Sequence, residues 1–265
     1  MIIGIIGQGV VGGACEYGFK KLDHTVIVHD LKLNTKIIDV INTDVCYICV
    51  PTPSIKDGSC DVSIVESVMR ELQQNNYKGV IAIKSTVKPS TTQRLITEYP
   101  DLKICFVPEF LRERCAVSDF IENHDLLAVG THSFEVFNII KDCHGKYPDK
   151  IVMLSPTEAE LLKYYSNVFN ALRIIFANEF YEICSSLNAD YNKVKDAFIL
   201  RRTTTDMYLD VNKNFRGYGG VCLPKDTAAI ASLVKELNLD MNLFNVIEQE
   251  NKKFKTTVFD GMRKQ

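Results

Sequence analysis

No apolar run among the 265 residues approaches the ~18 needed to span a bilayer, so no membrane segment is expected. No secretory leader is expected either: the opening apolar stretch has no basic n-region and runs straight into a glycine motif. Excess charge of either sign is also absent. The net charge of −2 gives no reason to expect nucleic acid or an anionic membrane as partner. The nine cysteines are odd in number and scattered, which suits a reducing, cytoplasmic setting better than a disulfide framework. Cys46 and Cys49 form a C-x-x-C pair, but inside the apolar run Val45 to Val50 and with no second ligand pair following. They read as core strand residues, and no metal site is expected. Internal repeats, low-complexity tracts and flexible linkers are lacking. What is present, 46% hydrophobic and 24% charged residues, is enough to bury a sizeable core in two domains.

The chain begins with the apolar run Ile2 to Ile6, of buried-strand length. Gly7, Gly9 and Gly12 follow in a G-x-G-x-x-G arrangement, and Gly13 to Lys20 can be helical. A second apolar run, Thr25 to Val28, ends at His29-Asp30. The distance from the last glycine to Asp30 is close to the ~20 residues expected of an acid that holds a ribose 2′-OH. Asp30 would repel a 2′-phosphate, which favours NAD over NADP, although Lys32 and Lys36 lie nearby.

Further strand-like runs recur at Val45–Val50, Val80–Lys84, Lys103–Val107, Leu126–Val129 and Ile151–Leu154. Helical patterns separate most of them. Between Ser63 and Gln74, for example, Ile64, Val65, Val68 and Leu72 recur at helical spacing. This alternation predicts a mostly parallel, doubly wound sheet over residues 1–154, whose ligands bind at the carboxyl ends of strands. Pro51-Thr52-Pro53, Ser85-Thr86 and Pro108-Glu109 all fall at such ends. Ser155-Pro156-Thr157-Glu158 is a capping box with proline at the first helical position. It opens a helix expected to run to about Leu187 and an all-α domain over residues 155–265. Leu161, Tyr165, Val168, Leu172, Ile175 and Phe176 form an apolar face on that helix. Lys163, Asn167 and Asn170 form a polar stripe, for which a solvated face is the ordinary explanation. So long and apolar a helix is expected to cross a dimer. Beyond it, helices are expected to be interrupted by a loop from Thr203 to Gly220.

Residues 217–226 read Gly-Tyr-Gly-Gly-Val-Cys-Leu-Pro-Lys-Asp. Pro224 suits a first helical position. Cys222 would then lie just before a helix N-terminus, where the dipole favours a thiolate. A nucleophilic thiol is one reading, and a buried cysteine at a glycine-rich turn is the other.

Taken together, the ordered blocks resemble the UDP-glucose/GDP-mannose dehydrogenases, which oxidise a nucleotide-sugar primary alcohol to a carboxylate with two NAD. The blocks are Gly7-x-Gly9-x-x-Gly12, Pro51-Thr52-Pro53, Lys84-Ser85-Thr86-Val87, Val107 to Glu113, Glu160 to Asn167, and the Cys222 segment. The resemblance implies a Rossmann domain followed by a central helical, dimerising domain. It implies that Cys222 traps the aldehyde as a thiohemiacetal that becomes a thioester. By the same resemblance Lys163 handles the alcohol proton and developing oxyanions, and Asn167 adds a hydrogen bond to the same oxygen. Glu109 activates the hydrolytic water, and Asp226 orders a water or orients Lys163. Phe110, Leu111 and Arg112 run along the substrate, and Gly219 allows close approach near the sugar. Thr52, Thr86, Glu113 and Lys225 match cofactor-side positions, Thr86 also belonging to the catalytic set. Gly9, Val10 and Val11 lie under the pyrophosphate.

Two features depart from the family pattern. Relatives continue into a second Rossmann-like domain that clamps the nucleotide, whereas this sequence stops at Gln265. Arg201 to Phe215 also matches the family's substrate loop poorly. Arg202 is the candidate for its cross-dimer arginine, with Arg201 and Arg216 as rivals. UDP-glucose is the favoured substrate, and a homodimer through the long helix is expected. The alternatives are the NAD-binding half of a split enzyme and a member of the wider hydroxyacid and 6-phosphogluconate dehydrogenase superfamily.

Overall fold

Short apolar runs punctuated by turn residues become strands, and the amphipathic stretches between them become helices. The computed structural model describes residues 1–254, so residues 255–265, the end of the expected helical domain, lie outside the described residues. The strands are β1 (Ile2–Ile6), β2 (Thr25–His29), β3 (Val45–Ile48), β4 (Val80–Ile83), β5 (Lys103–Phe106), β6 (Leu126–Gly130) and β7 (Lys150–Leu154). They form one sheet in the order β2-β1-β3-β4-β5-β6-β7. From β2 to β5 every neighbour is parallel. Only at β6 does the direction reverse, through the pair Phe106↔Gly130, and β7 then runs parallel to β6. The carboxyl ends of β1 to β5 therefore share one edge, and the strand order switches direction beside β1.

Two compact units divide the chain. The first comprises 1–53 and 60–163; the second comprises 54–59 and 164–265. In the first, α1 (Val10–Lys21), α2 (Ser63–Gln74), α3 (Thr91–Glu98), α4 (Ala116–Ile121) and α5 (Phe134–His144) flank the sheet. Strand alternation sends Val80 and Ala82 into one apolar layer and Ile81 and Ile83 into the other. The first layer also holds Cys15, Phe19, Tyr47, Cys105 and Phe120. Cys46 is fully buried, as a core strand residue should be, and among the described residues no cluster of metal-ligating side chains forms.

The long helix α6 (Pro156–Ser186) starts where its capping box directs. Ser155 N–H donates to Glu158 Oε2 at 2.8 Å, and Glu158 N–H donates to Ser155 Oγ at 3.4 Å. The division between units falls inside this helix, after Lys163. The second unit adds α7 (Tyr191–Ile199), α8 (Cys222–Glu236) and α9 (Leu243–Lys253). Its core gathers Val168, Ala171 and Ile175 of α6 against Tyr218 and Ile247. The apolar face expected on α6 thus splits. Val168 and Ile175 are buried, whereas Leu161, Tyr165 and Phe176 are exposed. With Phe169, Phe180 and Ile183 the outer residues Tyr165 and Phe176 fall within about 60° of helix circumference. Among the described residues no helix is long and apolar enough to cross a membrane.

Two imidazoles sit in the first unit's aromatic core. His144 is fully buried against Phe19, Tyr47 and Phe120, and His124 packs edge-on beside it with ring centroids 5.6 Å apart. Burial pushes both imidazoles down, His124 to about 4, and the nearby Lys84 charge acts in the same direction. A neutral buried imidazole stabilises the fold above its unfolded value of ~6.5, and that stability disappears as pH falls toward the folded value. We expect His124→Gln to abolish about 2 kcal/mol of the stability lost between pH 7 and pH 5. Urea unfolding of both proteins at the two pH values checks this.

Candidate active site

At the carboxyl end of β1 the chain must turn sharply into α1. Gly7 takes φ +95, and a Cβ there would lie 2.6 Å from Cys49 O. A Cβ on Gly12 would lie 2.0 Å from Gly7 O, so the helix can approach the strand this closely only because residue 12 is glycine. Gly9 differs, since a Cβ there would meet nothing within 4 Å. Its face opens outward at the N-terminus of α1, where no side chain caps the first N–H groups and Val10 is exposed. Asp30, at the end of β2, accepts from Gln8 N–H at 2.7 Å and Lys32 N–H at 2.8 Å. Those two N–H groups hold its carboxyl below the usual carboxylate range. An uncapped helix terminus, an open glycine face and an ionised acid on the next strand fit a dinucleotide's pyrophosphate and ribose. NAD would be held by these groups.

The neighbouring exits complete that edge. Thr52 after β3 is buried and Thr86 after β4 half-buried. The Cys60 thiol ties their turns together, donating to Thr52 O at 3.5 Å and Thr86 O at 3.2 Å. After β5, Glu109 meets Lys163 of α6. Lys163 Nζ donates to Glu109 Oε1 at 2.7 Å and to Glu109 O at 2.6 Å, and both side chains are nearly inaccessible. Glu109 Oε2 accepts from Leu111 N–H at 2.8 Å, and the Phe110 ring centroid lies 5.9 Å from the ammonium. Burial pushes the Glu109 carboxyl up, but Lys163, the Leu111 N–H and Lys84 outweigh it and hold it below its ordinary value. Arg112 turns to Asp119, with Nε and Nη2 at 3.0 and 2.6 Å from its two oxygens. Glu113 is exposed in a one-turn 3-10 helix.

In the second unit, Asn167 Nδ2 donates to Asp226 Oδ2 at 2.6 Å, and Lys225 Nζ lies 2.8 Å from Asp226 Oδ1. The polar stripe of α6 is thus turned inward: Lys163 and Asn167 are buried, contrary to the ordinary expectation of a solvated face. Cys222 is exposed and is itself the first residue of α8, so Pro224 stands third in the helix, not first. Proline is tolerated there because the whole first turn lacks intrahelical N–H partners. Gly219 lies in the preceding loop, between Gly217 and Gly220, which take φ +59 and +79. Of the three arginines, Arg216 is committed to its own unit. It bonds Asn178 Oδ1 at 2.8 Å, pairs with Glu182 and packs over Tyr181. Arg201 and Arg202 are exposed.

Three residues near this edge had no role assigned from sequence. Cys60 gave no signal, being one scattered cysteine among nine. Glu160 is fully buried and caps α3, accepting from Ser90 N–H at 2.6 Å and Thr92 N–H at 2.7 Å. An acid three residues before Lys163 on the same helical face was its signal. Lys84 is buried at the exit of β4. A charge ending an apolar strand was the signal there.

The glycines separate packing from binding. Gly9→Ala should leave stability within about 0.5 kcal/mol of wild type and weaken NAD at least about tenfold, ~1.4 kcal/mol. Gly12→Ala should lower both. Thermal unfolding and calorimetric NAD titration of the two variants check this.

Comparison with known proteins agrees with the geometry. The model of the NAD binding domain of the UDP-glucose/GDP-mannose dehydrogenase family matches residues 29–147, and that of its central domain matches residues 157–253. The UDP-glucose 6-dehydrogenase of Rickettsia bellii is 30% identical over 227 residues, covering 83% of this chain and 51% of the relative. UDP-glucose 6-dehydrogenase TuaD of Bacillus subtilis is 31% identical over 229 residues, covering 83% and 49%. The chain therefore spans about half the length of the curated relatives it matches. A solved UDP-glucose dehydrogenase from Pyrobaculum islandicum superposes with a TM-score of 0.87 at 28% identity, covering 95% of this chain and 68% of that one. With both domain models matched in order and the glycine edge built for NAD, the chain belongs to the UDP-glucose/GDP-mannose dehydrogenase family.

Proposed function

We propose that the protein oxidises the primary alcohol of a nucleotide sugar to a carboxylate with NAD, UDP-glucose being the favoured substrate. The observation that carries this reading is the buried Lys163–Glu109 pair, joined at 2.7 Å in the unit whose glycine edge fits NAD. Bound NAD supplies the hydride acceptor. Lys163, once it has released a proton to solvent, takes up the alcohol proton as the neutral amine and, charged again, stabilises oxyanions on the substrate oxygen. Asn167 has one amide hydrogen committed to Asp226, which fixes its orientation and leaves the second for the same substrate oxygen. The Cys222 sulfur adds to the aldehyde carbon, and the second oxidation leaves a thioester. Glu109 then accepts a proton from water as its oxygen adds to the carbonyl, and the C–S bond breaks to release the Cys222 thiolate; the carboxylic acid so formed loses its own proton to solvent and leaves as carboxylate. Thr86 and Thr52 support the cofactor side, as do Glu113 and Lys225, while Asp30 selects NAD over NADP. Phe110, Leu111, Arg112 and Gly219 flank the sugar, and Arg202 is the candidate phosphate contact. Nine cysteines with no disulfide among the described residues support a reducing, cytoplasmic setting.

A homodimer is part of this reading. The exposed stripe Tyr165, Phe169, Phe176, Phe180 and Ile183 is a broad apolar helix face of the kind that pairs with a second copy. We expect Phe176→Glu/Phe180→Glu to give a monomer by light scattering, where the wild type gives twice that mass.

The chain's share of its relatives' length favours one second reading, an NAD-binding half that needs a separate nucleotide-binding polypeptide. Purified chain with NAD and UDP-glucose decides between them: two NADH per sugar support the first, and silence until a partner is added supports the second. Cys222→Ser should bind NAD as wild type does and release no more than one NADH per sugar. A full yield from this variant would exclude the thioester.

A further inference from the structure

Lys84 has no part in the chemistry above, yet it is a lysine only 4% exposed in the interior of the cofactor-binding unit. Such a burial needs a reason, because an ammonium loses its hydration there. Its backbone is fixed: Lys84 N–H donates to Ile48 O at 2.9 Å, and Ser85 Oγ donates to Val50 O at 2.7 Å. Strand alternation directs the side chain into the layer that also holds Ala82 and Cys105. There it lines a cavity of about 30 Å³ with Pro108, Glu109, Phe110, Asn123 and His124, space for a single water. Among the described residues no hydrogen-bond or ion-pair partner reaches its ammonium within contact distance, so its charge acts through space.

The groups that feel this charge are Glu109 after β5, His124 after α4, His144 on α5, Cys15 on α1, Cys49 after β3 and Cys105 on β5. Burial holds both histidines neutral and keeps Cys105 protonated, while the hydrogen bond with Cys15, aided by burial, pushes the Cys49 thiol up. Burial pushes the Cys15 thiol up, but its hydrogen bond with Cys49 and the Lys84 charge outweigh it and hold the thiol below its ordinary value. Two aspartates also line the cavity: Asp119 is held by Arg112, and Asp125 faces solvent. Glu109 is thus the carboxylate that Lys84 serves.

We propose that Lys84 is a positioning residue, a second and immobile cation that keeps Glu109 an oriented carboxylate while Lys163 turns to the substrate. The proposal deepens the reading of Glu109 as the base of the hydrolytic step and rests on it. Lys163 cannot both pair with Glu109 and serve a substrate oxygen at full strength. With Lys163 withdrawn, Glu109 would keep only the Leu111 N–H against its desolvation, and a buried carboxylate so placed takes up a proton. A protonated Glu109 cannot accept one from water. Lys84, anchored at the strand exit, supplies the missing counter-charge without moving.

The test reads Glu109 itself. Protein labelled with 13C at glutamate Cδ, with Glu109→Gln for assignment, gives its protonation state by NMR in the ligand-free chain. In Lys163→Met, Glu109 should stay ionised at pH 7; in Lys84→Met/Lys163→Met it should be protonated at pH 7. Lys84→Arg in the Lys163→Met background should restore the anion. A protonated Glu109 in Lys163→Met alone, or an ionised one in the double variant, overturns the proposal. If the double variant does not fold, Lys84→Met alone decides: its Glu109 midpoint should rise by one pH unit or more and return in Lys84→Arg, and an unmoved midpoint overturns the idea. During turnover, Lys84→Met should release the first NADH normally and slow hydrolysis at least tenfold, with a Cys222 adduct visible by mass spectrometry. A wild-type chain that oxidises no nucleotide sugar would defeat the reaction assigned above, and the NMR result would still judge Lys84.

Discussion

A buried ammonium meeting a buried carboxylate is a costly contact, and the turn after β5 and the start of α6 together hold the one between Lys163 and Glu109. Removing one partner of such a pair typically costs ~3–5 kcal/mol, because the other charge is stranded out of water. The pair Lys163–Glu109 avoids that loss through extra bonds: a second acceptor in Glu109 O at 2.6 Å and a second donor in Leu111 N–H at 2.8 Å. Each requires a backbone element in one place. Pro108 restricts the turn that follows β5, so the carbonyl and carboxylate of Glu109 face one ammonium. The capping box at Ser155 fixes where α6 begins, and hence which side of the helix carries Lys163 about two turns later. Glu160, on that same side, reaches the N-terminus of α3 and pins α6 to that helix.

Much of this was legible in the sequence, and the remainder was not for identifiable reasons. Every expected strand is present with ends within a residue or two, because short apolar runs between turn residues report burial directly. The reversal at β6 left no such trace, since a run such as Leu126–Gly130 encodes burial but not the direction of its neighbour. The capping box was readable because both partners lie within one turn. Whether Lys163 and Asn167 faced water or core was not readable, since period fixes which residues share a face and not what the face meets. The same limit split the apolar side of α6 into a buried stripe and an exposed one. Arg216 and Lys225 illustrate a third limit. The resemblance suggested ligand contacts for them, and the intramolecular partners that they have, Glu182 with Asn178 and Asp226, are far in sequence or concealed inside a motif.

The glycine edge and the Cys222 helix use one device for opposite ends. Both expose a helix N-terminus whose first N–H groups have no side-chain cap. At α1 the glycines keep side chains away, so the dipole is left to an external anion such as a pyrophosphate. At α8 the first residue is itself able to become the anion, and the first turn carries no acid. Asp226 comes next along the helix, and an unpaired carboxylate there would work against a thiolate at Cys222. Lys225, 2.8 Å away, offsets that charge while Asn167 occupies the other oxygen. Lys225 therefore protects the electrostatics of the helix start whether or not it also touches cofactor. The adjacency of Cys222, Lys225 and Asp226 is more than a motif: each charge is needed to correct the effect of the one beside it.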